Sequence, residues 1–559
     1  MKDVKERCLD IMERAIGCYS PERLEEYFSR VEKEGLTEHG FPRITANIGI
    51  LNARGRRLDL FKCFVRGMDI CCDQIPKVKA ANEFSVRELC FAIKEAEKAK
   101  LVQKERIDEW KTRLGSRGPL DLYDCLYTQA PDLHNWAFFG AVSEWTRYIF
   151  GMNGDRDFVD RQLATQISHF DGNGMYRDIP PMNPMLYDYV PRMLAAILLE
   201  YGYDGKYAAI LDGFLEKSGK ISMKLQSVTG ELPFGGRSNQ FLLNEATMIS
   251  VFLYEAKRYS ERGNAELSGR FVGAADLAVR SIEYWLAAAP DRHVKNLFSQ
   301  DSFFGCEDYA YFDKYMITLA SNIYPALLID VDAKIRPCLA EVGGFIVETS
   351  EHFHKTAINE GGYYLEFDTF ADTHYDASGL GRVHKAGAPS TICLSVPFPP
   401  GMPEYRIDKE NPCAFSICPA VKNEKGEWLF ASDRKTVYAL TEKSSKDGSS
   451  ELTFECGFCD GTKAAFKCSV SSDGVILRAE ATGKEVGICF PAFLFDGENH
   501  TEIVRTDNNI SIKYRGCVCE YTAKDIFDLG TTFSNRNGIY AGYLAKGDTA
   551  VELRITIIC

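Results

Sequence analysis

The sequence predicts an α+β multidomain chain, with an N-terminal α/α toroid over residues 1–355 and a C-terminal antiparallel β-sandwich over 356–559. Three observations carry this expectation. Up to about residue 350, apolar residues recur at helical spacing in segment after segment. Near residue 355 the period changes to strict alternation, as in Gly361-Gly362-Tyr363-Tyr364-Leu365-Glu366-Phe367-Asp368. Turn signals such as Asp447-Gly448, Asp460-Gly461 and Asp473-Gly474 then punctuate the alternating segments.

Helices are expected at 6–17, 21–33, 56–73, 85–98, 107–114, 136–150, 157–169, 186–201 and 206–218, then at 242–262, 265–288, 308–331 and 333–353. Ser20 before Pro21 reads as a helix start, as does the capping box Ser85-Val86-Arg87-Glu88. Pro325 should kink or end its segment. A dozen helices with short connections suggest a closed ring or a solenoid. The strands Trp428–Ala431, Glu451–Glu455, Val475–Ala479, Asn509–Tyr514 and Thr549–Cys559 build the sandwich.

With 559 residues, 45% of them hydrophobic and 26% charged, the chain has the composition of a globular protein with a sizeable core. A formal net charge of −13, with no dense basic run, argues against a nucleic-acid partner. No apolar run reaches the length of a membrane span, so no membrane partner is expected. The charged start Met1-Lys2-Asp3-Val4 lacks an apolar signal segment. Together with 19 cysteines read as reduced thiols, it points to a cytoplasmic protein. Cys456-Gly457-Phe458-Cys459 has the look of a metal motif, but its strand-like setting and the lack of a suitably spaced His weigh against zinc. No phosphate loop, dinucleotide signature or nucleophile elbow is present, and no cofactor is expected.

The densest polar stretch is Gly235-Gly236-Arg237-Ser238-Asn239-Gln240-Phe241, leading to Asn244-Glu245-Ala246 at a helix start. A guanidinium beside two amides suits a carboxylate or a sugar. Further clusters lie at His134-Asn135-Trp136, at Tyr187-Asp188, at Glu307-Asp308-Tyr309 and at His374 to His384. In a helical ring, alternate loops open on one end, so helix-start clusters can converge. Glycoside hydrolysis needs two carboxylates, and Glu245 with Glu307 or Asp308 is the expected pair. Arg237, Asn239, Gln240, Arg382 and His384 are the expected donors to an acidic sugar, with His374 beside them. Trp136, Tyr187, Asp188 and Tyr309 are expected along the sugar. A lyase is the alternative: His134, Asn135, Tyr309 and Arg237 could serve proton abstraction beside a uronate carboxylate. A noncatalytic carbohydrate-binding protein is the third reading.

Three segments, Phe234–Phe241 with Asn244-Glu245-Ala246, Gly305–Met316 and Gly379–Pro389, resemble glycoside hydrolase family 154. The resemblance implies a toroid plus sandwich, exo-acting β-glucuronidase activity on terminal uronic acid, and homo-oligomeric assembly. The architecture is also similar to the heparinase-like uronate lyases. The resemblance assigns no catalytic residue, so the carboxylate pair rests on the residues themselves.

Overall fold

Among the described residues of the N-terminal half, six helices bury nearly their whole circumference, including Gly40–Ala53, Met185–Glu200 and Leu243–Glu261. A helix apolar all round must be enclosed by others. The computed structural model describes residues 4–127, 134–178, 180–400, 403–407, 414–433 and 435–559. Among these residues, the enclosed helices pack in a closed order. Gly40–Ala53 meets Asn82–Lys98, which meets His134–Ile149, then Met185–Glu200, Leu243–Glu261 and Phe312–Leu328, which returns to Gly40–Ala53. More amphipathic helices, such as Pro21–Glu34 and Ala265–Ala288, pack outside them.

Local chemistry explains several helix boundaries. Ser20 caps Pro21–Glu34, its side chain accepting from the Arg23 N–H at 3.2 Å. The expected start at Ser85 is displaced: that helix is Asn82–Lys98 and Ser85 lies buried inside it. Pro325 sits within Phe312–Leu328 without ending it. The expected helix over 333–353 is reduced to Leu339–Val342. Gly343 and Gly344 then adopt φ 70° and 81°, a left-handed conformation that suits glycine and stops a helix. Phe345–Glu348, with β-branched Ile346 and Val347, pairs as a strand instead. The helix Gly40–Ala53 was not expected at all.

Among the described residues, three antiparallel sheets form the C-terminal half. The first runs Phe345–Glu348, Lys355–Glu360, Tyr363–Asp368, Gly379–Lys385. Its alternation feeds two cores: Tyr364 packs with the helices, whereas Tyr363, Leu365 and Phe367 pack with the other sheets. An eight-stranded sheet runs from Glu502–Arg505 at one edge to Val437–Lys446 at the other. The third, five-stranded, is centred on Val486–Phe495. A disulfide joins Cys517 to Cys559, against the expectation that the cysteines are all reduced. Cys456, Cys459 and Cys468 are free thiols. No helix among the described residues is long and apolar enough to cross a membrane.

Candidate functional site

The first turns of the enclosed helices meet at a cavity of about 270 Å³. Arg43 reaches it from Gly40–Ala53, Phe84 from Asn82–Lys98, and Asn135 and Trp136 from His134–Ile149. Tyr187 comes from Met185–Glu200, Leu243 from Leu243–Glu261, and Lys314 and Tyr315 from Phe312–Leu328. Each helix N-terminus carries about half a positive charge. The side chains add the cations Arg43, Arg237 and Lys314. Among the described lining residues there is no carboxylate.

The loop Gly235–Phe241 forms one wall. Gly236 has φ 74°, and a Cβ there would lie 2.8 Å from the Pro184 Cβ, so the backbone passes where only glycine fits. Ser238 and Gln240 also have positive φ, at 56° and 65°. This conformation makes Ser238 a hub. Its N–H donates to Glu307 Oε1 at 2.5 Å, and its Oγ lies 3.1 Å from each of the hydroxyls of Tyr187, Tyr309 and Tyr315.

Arg237 lies over the Tyr187 ring at 4.3 Å and donates from Nη2 to Asp178 Oδ2 at 2.6 Å, while its buried Nε has no partner among the described residues. Asn135 donates to Asp178 Oδ1 from its backbone N–H at 3.0 Å and from Nδ2 at 2.8 Å. Asp178, fully buried, thus orients both. Burial raises its pKa, and Arg237 and Asn135 offset that by stabilising the carboxylate. Tyr309 lines the cavity and also a second cleft of about 800 Å³ that includes Glu307, Asp308, Glu404, Tyr405 and Arg406. Burial, then Tyr187 and Glu307, hold the Tyr309 hydroxyl well above the ordinary phenol range. His39 is shifted the other way by burial and by Arg43 and Lys314, so its imidazole is neutral at pH 7.

The expected site residues divide into two groups. Asn135, Trp136, Tyr187, Tyr309 and Arg237 share the cavity. The side chain of His134 lies outside the described residues. Asp188 is buried behind the wall, ion-paired with Arg192 and accepting the Tyr176 N–H at 2.7 Å, and burial lifts its pKa to about 6. The expected carboxylate pair does not meet in one cavity. Glu245 is fully buried where the helices join the sheets, its Oε1 held by Lys295 Nζ at 2.8 Å and the Leu232 N–H at 3.0 Å. Glu307 lines the second cleft and is bound by Arg536 at 2.6 and 2.9 Å. Asp308 is a surface side chain, 85% exposed, beside Arg406.

The remaining expected donors also point elsewhere. Asn239 bonds the Pro233 carbonyl at 3.2 Å, and Gln240 bonds Asn239 and Asn537. Arg382 donates to the Leu232 and Ser395 carbonyls. His384 sits between Ser227 Oγ at 2.6 Å and Ser395 Oγ at 3.0 Å. Gln240, Arg382 and His384 tie the helical half to the sheets, whereas Asn239 bonds within the helical half. His374 is exposed and pairs with Asp372. The cavity residues His39, Arg43, Lys314 and Tyr315, and the supporting Ser238 and Asp178, were not among the expected site residues. No group of three or more His, Cys, Asp or Glu side chains placed to hold a metal occurs among the described residues.

No family model and no curated protein matches this chain. Its fold is similar to the Streptomyces coelicolor A3 chondroitin AC lyase in complex with chondroitin sulphate, with a TM-score of 0.51 and 11% identity over 99% of this chain and 79% of that one. A mutant of the same lyase gives a TM-score of 0.53 at 10% identity, over the same shares of the two chains. Heparinase III, at a TM-score of 0.36 and 8% identity over 85% of this chain and 76% of that one, is too distant to carry an argument.

Proposed function

We propose that this protein is a carbohydrate-active enzyme that cleaves uronate-containing oligosaccharides by β-elimination, on an α/α toroid backed by a β-sandwich. The observation that carries this reading is the cavity itself. It gathers helix N-termini, cations, two amides and three phenols, and no described carboxylate lines it. Hydrolysis needs two carboxyl groups flanking the bond. Elimination needs instead a neutralised uronate carboxylate, a base and an acid. The fold likeness to a chondroitin lyase agrees with this, as fold alone.

In this reading Arg237 and Asn135 hold the carboxylate and stabilise the charge that develops on it as the C5 proton leaves. Tyr187 takes that proton, and Tyr309, kept as a phenol by burial, protonates the leaving oxygen. The hydroxyls of Tyr187, Ser238 and Tyr309 form a chain with 3.1 Å steps. A proton can pass from Tyr187 through Ser238 to Tyr309 as C5 loses its own to Tyr187. The C4–O bond breaks, a C4–C5 double bond forms, and the proton count closes on the leaving alcohol. Because Tyr309 also lines the second cleft, that cleft would take the leaving portion.

Incubation with oligosaccharides whose uronate is glycosylated at O4, and separately with a chromogenic β-glucuronide, tests the reading, with products weighed by mass. An unsaturated, ultraviolet-absorbing uronate of unchanged summed mass is the expected product. Free glucuronic acid with water added would instead establish the β-glucuronidase implied by the family 154 resemblance.

A further inference from the structure

The wall that Phe312–Leu328 gives the cavity runs well past the first turns. Lys314, Thr318 and Asn322 line it at steps of four residues, so they form one stripe down the helix. At 1.5 Å per residue, Asn322 lies about 12 Å beyond Lys314 along the helix axis. Two other helices also line the cavity below their first turns. Phe139 is one turn beyond Asn135, and Val190 one turn beyond Tyr187. The cavity therefore has a first-turn end, with Arg237, Asn135, Tyr187 and Tyr309, and a deep end.

The deep end is mostly apolar. Phe139 and Val190 are buried, and the Phe84 ring lies 4.3 Å from that of Phe139. The polar groups on this side are mostly committed. Arg43 is ion-paired with the buried Glu88. Thr318 Oγ1 accepts from Arg43 Nη1 at 2.9 Å and donates to the Lys314 carbonyl at 2.7 Å. Asn322 differs. It is 3% exposed and lines the cavity, and its side-chain amide has no hydrogen-bond partner among the described residues. Only its backbone carbonyl is met, by Ser250 Oγ at 3.4 Å. A buried amide without a partner is costly, so one that borders a cavity suits a polar group on a ligand.

The surroundings of Asn322 indicate which group. Its carboxamide offers both an acceptor and donors, and a second amide, with one N–H and one C=O, matches both at once. A hydroxyl would meet Asn322 but leave Phe139 and Val190 uncovered. A bare methyl group or an aromatic ring would cover them but leave Asn322 unpaired. An acetamido group does both, because its methyl is apolar and its amide is not. We infer that the sugar unit taken into this cavity carries an N-acyl group, its amide paired with Asn322 and its methyl against Phe139 and Val190. This rests on the uronate reading above, so the unit is an N-acylated aminouronate, with the acylamino group on the uronate ring itself and not on the leaving portion. C5 carries the carboxylate and the C4–O bond is the one that breaks, which leaves C2 and C3 to bear it.

Calorimetric binding to the full chain tests this without needing turnover. The probes are methyl glucuronide, its 2-acetamido-2-deoxy and 3-acetamido-3-deoxy counterparts, and methyl 2-acetamido-2-deoxyglucoside, which keeps the acyl group and lacks the carboxylate. One of the acylated uronates should bind about tenfold tighter than methyl glucuronide. Asn322→Leu nearly keeps the volume and removes the amide, so it should abolish most of that preference and change the unacylated sugar far less. Equal affinity of the three uronates in the native protein would overturn the inference, and that comparison needs no variant. A preference that survives Asn322→Leu would overturn it as well. An acylated glucoside that binds as tightly as the acylated uronate would retain the acyl site and reject the uronate reading. An acyl preference with no unsaturated product would retain the inference and reject the lyase.

Discussion

Tyr309, Ser238 and Tyr187 together define the proposed proton path, and each member makes a different prediction. Tyr309→Phe removes the acid but keeps the ring, so kcat should fall about 10²–10⁴-fold with KM changed far less. Ser238→Ala interrupts the path between two intact phenols and should also lower kcat. A Ser238→Ala enzyme with native kcat would exclude the relay. A different kind of prediction attaches to Asp376, which accepts the Gly236 N–H at 2.6 Å and is pushed from 3.8 up to about 7, chiefly by burial. A carboxyl with a raised folded pKa binds its proton more tightly when folded. Its contribution is therefore complete below the unfolded value and is lost as pH rises toward 7. Asp376→Asn keeps an acceptor and removes the titration. It should flatten the fall in stability with pH over that window, by up to about 1.4 kcal/mol per pH unit. Urea unfolding at several pH values measures this, and an unchanged slope would mean that Asp376 is ionised throughout.

At the scale of elements, the cavity depends on a loop and on the helix starts. Gly236 combines φ 74° with a passage against Pro184. Gly236→Ala should cost about 1–3 kcal/mol in thermal or chemical unfolding, and should weaken uronate binding because Arg237 follows directly. A native melting temperature in that variant would show that the loop can yield. The helix starts explain why some clusters in the sequence converge. Asn135-Trp136 and Tyr187 lie at the first turns of helices in the ring, so they reach one cavity. His374 to His384 lies before and along a strand; its Asp376, Arg382 and His384 serve the join between the halves, whereas His374 is exposed. Gly40–Ala53 escaped notice because a helix buried on every side has no polar face to set its period. Arg43 and its neighbour His39 escaped with it.

For the whole molecule, the decisive contacts run between the helices and the sheets. Arg536, on the turn after Ile526–Asn535, binds both oxygens of Glu307 and lies 4.0 Å from the Tyr405 ring. Glu307 in turn holds the Ser238 N–H. A residue late in the chain thus supports the hub of the cavity. Arg536→Ala leaves a buried carboxylate without its cation and should cost about 3–5 kcal/mol. It should also slow turnover by loosening Ser238, while Arg536→Lys should restore part of both. Loss of stability without any effect on turnover would separate the join from the site. Glu245 belongs to this same scale. Lys295 binds it and, at 3.2 Å, Glu231, in a fully buried cluster.

The sequence by itself determined the two halves, because a period of 3.6 and a period of 2 are local properties of a chain that must bury one face. It also singled out Arg237, Asn135, Tyr187 and Tyr309 as site candidates, through polar and aromatic residues gathered near helix starts, and these four line one cavity. Tertiary structure alone decided which carboxylates are ion-paired. Glu245 and Glu307 look alike in sequence, and only the arrival of Lys295 and Arg536 from distant segments turns them into ion-pair partners. It also decided that the cavity is cationic. Arg43 and Lys314, far apart along the chain, become one charged wall only when the helices Gly40–Ala53 and Phe312–Leu328 pack side by side. Electrostatics depends on distance through space, and that distance is not written in the spacing along the chain.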